Sequence, residues 1–241
     1  MKFYDLFGST KPVFGMLHLK SDAGMDALER AKREIDIYLH NGVEALMVEN
    51  YFGSADECAQ VLAWLQKNMP SAMYGVNILG DAPLAFELSL RYGAKFIQID
   101  SVCGHLPPAA DEKLARRLSE LRAAVDVCLL GGVRFKYQPV RSGRTQEEDL
   151  VIGMQRCDAI VVTGDGTGMA TPEEKIAQFR RTLGSYPLIT GAGVTADTIA
   201  STLAVSDGVI VGSYLKDGHR DYGEVCEAHV RTFMEAKRAA C

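Results

Sequence analysis

Four residues with the chemistry of acids, bases and cations sit near the ends of runs that are otherwise apolar. His18 closes VFGMLHL, which starts at Val13, and Glu49 closes VEALMVEN, which starts at Val43. Asp100 closes AKFIQID, from Ala94, and Lys136 closes GVRFKY, from Gly132. Burying polar groups there costs desolvation energy, so packing alone would not select them. An imidazole with an ordinary pKa near ~6.5 serves as acid or base at neutral pH, although His18 also fits a satisfied core histidine. Glu49 follows Ala-Leu-Met-Val, which strips solvent from its carboxylate and raises its pKa toward that of a usable base. Asp100 is its natural partner, since two carboxylates on one cavity can divide roles between acid and base. The competing reading pairs one or both with His18, Lys20 or Lys136 as plain ion pairs. Lys136 reads either as a Schiff-base amine or as a cation that holds an anionic substrate, and the cation reading is preferred. His18, Glu49 and Asp100 would also make a hard oxygen and nitrogen metal site, but no local ligand spacing supports one, so no cofactor is expected and a divalent ion stays open.

Other polar residues fall at equivalent places. Lys20, Asn50, Asn77, Gln98, Thr163 and Asp165 are the expected substrate contacts. Two Gly-rich segments, TGAGVTAD (Thr190 to Asp197) and DGVIVGSYLK (Asp207 to Lys216), present backbone N–H groups before a following helix, which is an anion cradle. Gly191, Gly193, Gly212, Ser213 and Lys216 are therefore the expected phosphate ligands. The cluster Arg141-Ser-Gly-Arg144 reads as a lid over a phosphate or as a solvated basic loop.

Elements must exist to bring these residues together. Short Val- and Ile-rich runs alternate with longer stretches of helical period, the pattern of βα units with a parallel sheet. Eight runs are found: the four above, plus MYGVNIL from Met73, DAIVVTG from Asp158, PLITGAG from Pro187 and DGVIVGS from Asp207. Amphipathic stretches lie between them, including Asp26 to Asn41, Glu57 to Lys67, Asp81 to Tyr92 and Asp111 to Leu130, with a final helix over Gly223 to Cys241. Asp81 and Thr171 read as helix caps, and Gly42 and Gly93 as helix stops. Eight units in 241 residues predict a single-domain (β/α)8 barrel over residues 1–241. An open doubly wound sheet is the runner-up, and the missing GxGxxG after the first strand argues against it. In such a barrel the residues that close the strands share one rim, where active sites are built.

Composition narrows the partners. Twenty-six Lys plus Arg against 31 Asp plus Glu give a net charge of −5, which offers no broad field for nucleic acid or anionic lipid. No apolar run reaches the roughly 18 residues of a membrane span, and the opening MKFYDLFGSTKP lacks a signal peptide's apolar stretch, so a cytoplasmic protein is expected. Cys58, Cys103, Cys128, Cys157, Cys226 and Cys241 form no CxxC pair and read as reduced packing residues. His40, His105, His219 and His229 receive structural readings, as do Trp64 and the methionines.

GMLHLK, GVEALMVEN, GVNILGDAP, VTGDGTG, GAGVTAD and DGVIVGSYLKDG, in that order, resemble the segments of the BtpA/SgcQ family over nearly the whole chain. The resemblance implies a ribulose-phosphate-binding type of barrel. It carries over His18, Glu49, Asn50, Asn77, Lys136, Thr163, Gly164, Gly168, Gly193, Gly212 and Lys216. Two departures stand out: SDAGM lacks the Pro-rich stretch usual after the family's His, and NILGD replaces the commoner NVLRND. The family's labels, a photosystem I biogenesis factor and a sugar-metabolism or nucleosidase enzyme, imply two readings. One is an enzyme on a phosphorylated sugar or phosphoribosyl compound, working by isomerisation or glycosidic cleavage. The other is a non-catalytic assembly factor, with a Lys136 aldolase as a third option. A small phosphorylated substrate is the expected partner, and a homo-oligomer stays open.

Overall fold

The structure, a computed structural model, describes residues 2–22 and 24–240. The apolar runs are continuous because each strand buries both faces, one inside a barrel and one beneath a helix. The strands are β1 (Val13–His18), β2 (Ala45–Glu49), β3 (Tyr74–Asn77), β4 (Phe96–Cys103), β5 (Cys128–Val133), β6 (Ala159–Thr163), β7 (Leu188–Gly191) and β8 (Gly208–Val211). Each pairs in parallel with its sequence neighbours, and β8 returns to β1 to close the ring. A short helix, α1 (Phe3–Phe7), precedes β1. The outer ring is α2 (Ala27–His40), α3 (Ala55–Asn68), α4 (Ala82–Tyr92), α5 (Pro108–Ala124), α6 (Gln146–Arg156), α7 (Glu173–Leu183), α8 (Ile199–Val205) and α9 (Glu227–Ala240). This is the (β/α)8 barrel expected from the repeat.

Alternation along each strand decides what enters the barrel. Phe14, Met16 and His18 of β1 lie on the inner face, as do Ala45, Met47 and Glu49 of β2, and the lower residues join Phe96, Leu130, Val161 and Ile210 in an interior core. Leu17, Val48, Ile97 and Val162 face the other way and pack under the helices. Helix α1 is an element the sequence reading did not provide. Phe3 and Phe7 enter the lower end of the barrel, with Phe7 edge-on to Phe14 at 5.4 Å and Phe14 edge-on to Phe96 at 5.0 Å. Burying two such rings contributes about 4 kcal/mol, far more than five helical residues supply on their own.

Asp26, Ser54, Asp81 and Thr145 cap α2, α3, α4 and α6 by accepting an amide three residues on, a stabilisation of ~1 kcal/mol each. Thr171 does not cap α7 as expected. Pro172 occupies the cap position, and the Thr171 hydroxyl donates to the Gly191 carbonyl at 2.9 Å, tying the loop after β6 to the end of β7. The fifth unit is also corrected. The strand begins at Cys128, not Gly132, and α5 stops at Ala124. Gly131-Gly132 looks like a turn but lies within the strand because β4 shifts register between Ile99 and Cys103 and presses its backbone inward. A Cβ on Gly132 would stand 2.0 Å from the Asp100 carbonyl oxygen. Lys136 consequently lies past the strand, in a segment where Arg134 and Tyr137 have positive φ. The five described cysteines are free, four of them buried, and Cys241 lies outside the described residues.

Candidate active site

Strand register sets the upper layer of the barrel. His18 stands level with Glu49, Glu49 with Asn77, and Thr163 with Gly191. Above this layer opens a cavity of about 430 Å³, lined by His18, Glu49, Gln98, Asp100, Lys136, Thr163, Gly191, Gly193, Gly212 and Ser213 among others. Ten of the sequence-derived site residues thus meet on one cavity. The rest do not line it. Lys20 donates to the Tyr222 carbonyl, the Asn50 side chain accepts the Leu79 amide at 2.8 Å, and Asp165 is exposed beside Lys175. Asn77 is 1% exposed and works from below.

Asn77 joins the two carboxylates. Its Nδ2 donates to Glu49 Oε1 at 2.7 Å and to Asp100 Oδ1 at 3.1 Å, and Gln98 Nε2 donates to the same Asp100 oxygen at 3.0 Å. His18 stands on the other side of Glu49, with Nε2 3.4 Å from Oε2. His18 Nδ1 lies 3.1 Å from the Asp221 carbonyl oxygen. A carbonyl only accepts, so Nδ1 carries the hydrogen and Nε2 turns its lone pair to Glu49. Burial, with the Lys216 ammonium adding to it, holds the His18 pKa well below the usual histidine value. Burial and the Asp100 charge push Glu49 up to about 7, with Lys136 and Asn77 pulling the other way. A neutral histidine therefore faces a carboxyl that gains and loses its proton near neutrality, the condition for general acid/base work.

A second group of residues faces this pair. Lys136 Nζ donates to Thr167 Oγ1 at 2.9 Å, and the Tyr51 hydroxyl lies 3.0 Å from the same oxygen. Tyr51 stacks on His18 with centroids 4.7 Å apart. The Tyr137 hydroxyl accepts the Thr167 amide at 2.7 Å. Tyr51, Tyr137 and Thr167 line the cavity beside Gly168, which the family resemblance carried over, and the sequence reading selected none of these three as a site residue. The available signal was adjacency: Tyr51 follows Glu49-Asn50, Tyr137 follows Lys136, and Thr167 is the second threonine of the TGxxTG element.

The Gly loops close the remaining side. Residues 191–195 and Gly212-Ser213 line the cavity beyond β7 and β8. Gly193 takes φ +67, and a Cβ there would stand 2.3 Å from the Ala170 backbone, so this glycine also seats the loop after β6. Lys216, expected on the phosphate, is instead 1% exposed beneath the site and donates to the Asp221 carbonyl at 3.0 Å. Burial lowers its pKa to about 8. Arg144 is neither lid nor free cation, because it pairs with Asp149 and Asp111, both buried. His219 does line the cavity, stacked between Tyr214 at 4.7 Å and His229 at 4.4 Å, which corrects its purely structural reading. Among the described residues no group of three His, Cys, Asp or Glu is arranged to hold a metal, since the Asn77 amide sits between the two carboxylates of the set considered.

An eight-stranded parallel barrel, with the His18, Glu49, Asn77 and Asp100 cluster and Gly-rich loops at its C-terminal rim, defines the class as a (β/α)8 barrel. The family is equally plain: the BtpA family model matches residues 9–239, and the chain belongs to the BtpA family. Photosystem I biogenesis protein BtpA of Synechocystis is 27% identical over 98% of this chain and 91% of that protein. Among solved structures, one described as native KDPGal superposes with a TM-score of 0.67 at 14% identity, covering 95% of each chain. N-(5'-phosphoribosyl)anthranilate isomerase of Pyrococcus furiosus gives 0.58 at 15% identity, over 95% of this chain and 99% of that one. At such identities these likenesses speak for the fold alone. No described helix is long and apolar enough to cross a membrane.

Proposed function

We propose that the protein is an enzyme acting on a phosphorylated sugar or phosphoribosyl compound. The observation that carries this reading is the Glu49–His18 contact at 3.4 Å on a cavity whose far side is built from the Gly191–Thr195 and Gly212–Ser213 loops. In this reading those loops hold the phosphate through backbone N–H groups, with Lys136 as the nearby cation. Glu49 takes a proton from one substrate atom and returns it to its neighbour, and the Nε2 lone pair of neutral His18 accepts from the Glu49 carboxyl while that carboxyl holds the proton. Asp100, joined to Glu49 through Asn77, keeps the proton affinity of Glu49 high. Proton transfer between neighbouring carbons of a sugar uses this pair most directly; glycosidic cleavage would draw on the same carboxyls.

The test is a thermal-shift screen against inorganic phosphate, pentose and hexose phosphates and nucleotides, followed by turnover assays on what stabilises. A stabilising sugar phosphate that Glu49→Gln turns over about 100-fold more slowly, with the fold intact, supports the reading. Full turnover by a folded Glu49→Gln protein overturns it. A second reading, an assembly factor that uses the cavity as a sensor, draws on the relative's printed name. It predicts stabilisation without turnover.

A further inference from the structure

The hydrogen-bonding groups that line the cavity are unevenly engaged. On the β4 wall, Gln98 is 5% exposed and its Oε1 accepts no hydrogen bond from any described residue. Its Nε2 is already committed to Asp100 Oδ1, and the single Asn77 Nδ2 serves both carboxylates. The amide donors here are therefore spent internally, and what is left without a donor are acceptors: Gln98 Oε1, buried in the wall, with the carboxyls of Asp100 on the same strand and Glu49 on β2. The Lys136 ammonium, from the segment after the neighbouring β5, the Thr167 hydroxyl after β6 and the backbone of the Gly loops after β7 and β8 line the rest of the cavity.

We infer that Gln98 and Asp100 form a hydroxyl-reading subsite that takes a neutral polyol end of the ligand and rejects a carboxylate there. The inference rests on the proposed phosphate site, since it assigns the other end of the same molecule. The chemistry follows from acceptor counting. A buried amide oxygen without a donor is costly, so a ligand that brings an O–H to Gln98 Oε1 gains over one that brings a C–H. A second O–H to Asp100 gains further as a charge-assisted bond. A carboxylate in the same place meets Asp100, Glu49 and the Gln98 carbonyl dipole, while the Asn77 and Gln98 amides already donate to carboxylates and the Lys136 ammonium to Thr167. Sites built to bond a hydroxyl discriminate strongly against analogues that lack it.

The test uses the whole chain and named probes: ribose 5-phosphate with 2-deoxyribose 5-phosphate, glucose 6-phosphate with 2-deoxyglucose 6-phosphate, 6-phosphogluconate, inorganic phosphate, and free ribose with 2-deoxyribose. Dissociation constants are read by calorimetry or ligand-observed NMR for wild type and Gln98→Met. At least one hydroxylated member should bind about tenfold or more tightly than its deoxy partner, and more tightly than 6-phosphogluconate. Gln98→Met should erase that ratio while leaving the constant for inorganic phosphate unchanged. If that variant does not fold, the wild-type ratios alone decide. Phosphate binding with no preference for hydroxyls, or a preference that survives Gln98→Met, overturns the subsite and leaves the phosphate site standing. If neither phosphate nor any sugar phosphate binds, the phosphate reading falls, and the free sugars decide the subsite: equal responses from ribose and 2-deoxyribose overturn it.

Discussion

His18 and Lys216 share one acceptor, the carbonyl oxygen of Asp221, at 3.1 Å from the imidazole Nδ1 and 3.0 Å from the ammonium. The lysine beneath the site and the histidine within it are thereby joined through one peptide group in the segment between β8 and α9. That carbonyl fixes the imidazole tautomer, and the lysine holds the carbonyl in place.

Lys216→Met should release this arrangement. The ¹⁵N shifts of the His18 ring are expected to show the Nδ1–H tautomer in wild type and a mixture with Nε2–H in the variant. Loss of the ammonium also removes a charge that lowers both the His18 and the Glu49 pKa, so both titrations should move upward. An unchanged ring spectrum in the folded variant removes Lys216 from the positioning of His18.

Stability should depend on Glu49 with a definite sign. Its pKa rises from 4.5 to about 7 on folding, so between those values the native state keeps a proton that the unfolded chain has lost. The group therefore destabilises the fold increasingly as pH rises through that window, and fully above it. Glu49→Gln removes the penalty. Denaturation at pH 5 and pH 8 should show the variant gaining on wild type at the higher pH, by about 3 kcal/mol at most. A gain at pH 5 instead would mean that the native carboxyl is held ionised.

Gly212 tests the phosphate loops and their coupling to His18. A Cβ there would lie 3.1 Å from His18 Cε1, close enough that the ring must give way. Gly212→Val should weaken binding of a phosphorylated ligand about tenfold while its dephosphorylated analogue loses much less. It should also shift the His18 ring resonances. Equal weakening of both ligands would take the anion site away from this loop.

Asp149 carries the loop that bears Lys136 and Tyr137. Fully buried, it accepts from Arg134 Nε at 3.0 Å, Arg144 Nε at 2.9 Å and Ser142 Oγ at 3.0 Å. Asp149→Ala leaves two guanidinium groups short of their partner and should cost about 3–5 kcal/mol in urea denaturation. A loss under ~1 kcal/mol would show that Asp111 takes up the charge of Arg144 without help.

The barrel was legible because apolar, Val- and Ile-rich runs recur eight times between helical stretches, and that repeat survives without knowledge of contacts even where, as at β5, the bounds are misplaced. His18, Glu49 and Asp100 were legible for the same reason: alternation and register alone bring strand ends to one rim. What was not legible depends on loops and on backbone proximity. Gly131-Gly132 imitates a turn unless the bulge of β4 beside it is known. Lys216 shares a motif with the Gly212 loop, yet a tight turn after β8 carries its side chain below the cavity. Thr167 and Tyr51 enter through loop conformation, where spacing holds no period to read. The Phe3 and Phe7 helix is too short for any periodicity signal.

That short helix has a kinetic consequence. With Phe3 and Phe7 stoppering the lower end and Phe14 and Phe96 filling the barrel above them, the cavity communicates with solvent through its upper mouth. Reactant and product must use the same door in opposite directions. Under the enzymatic reading, product inhibition is then competitive with substrate, and turnover at high product concentration is limited by departure through that mouth.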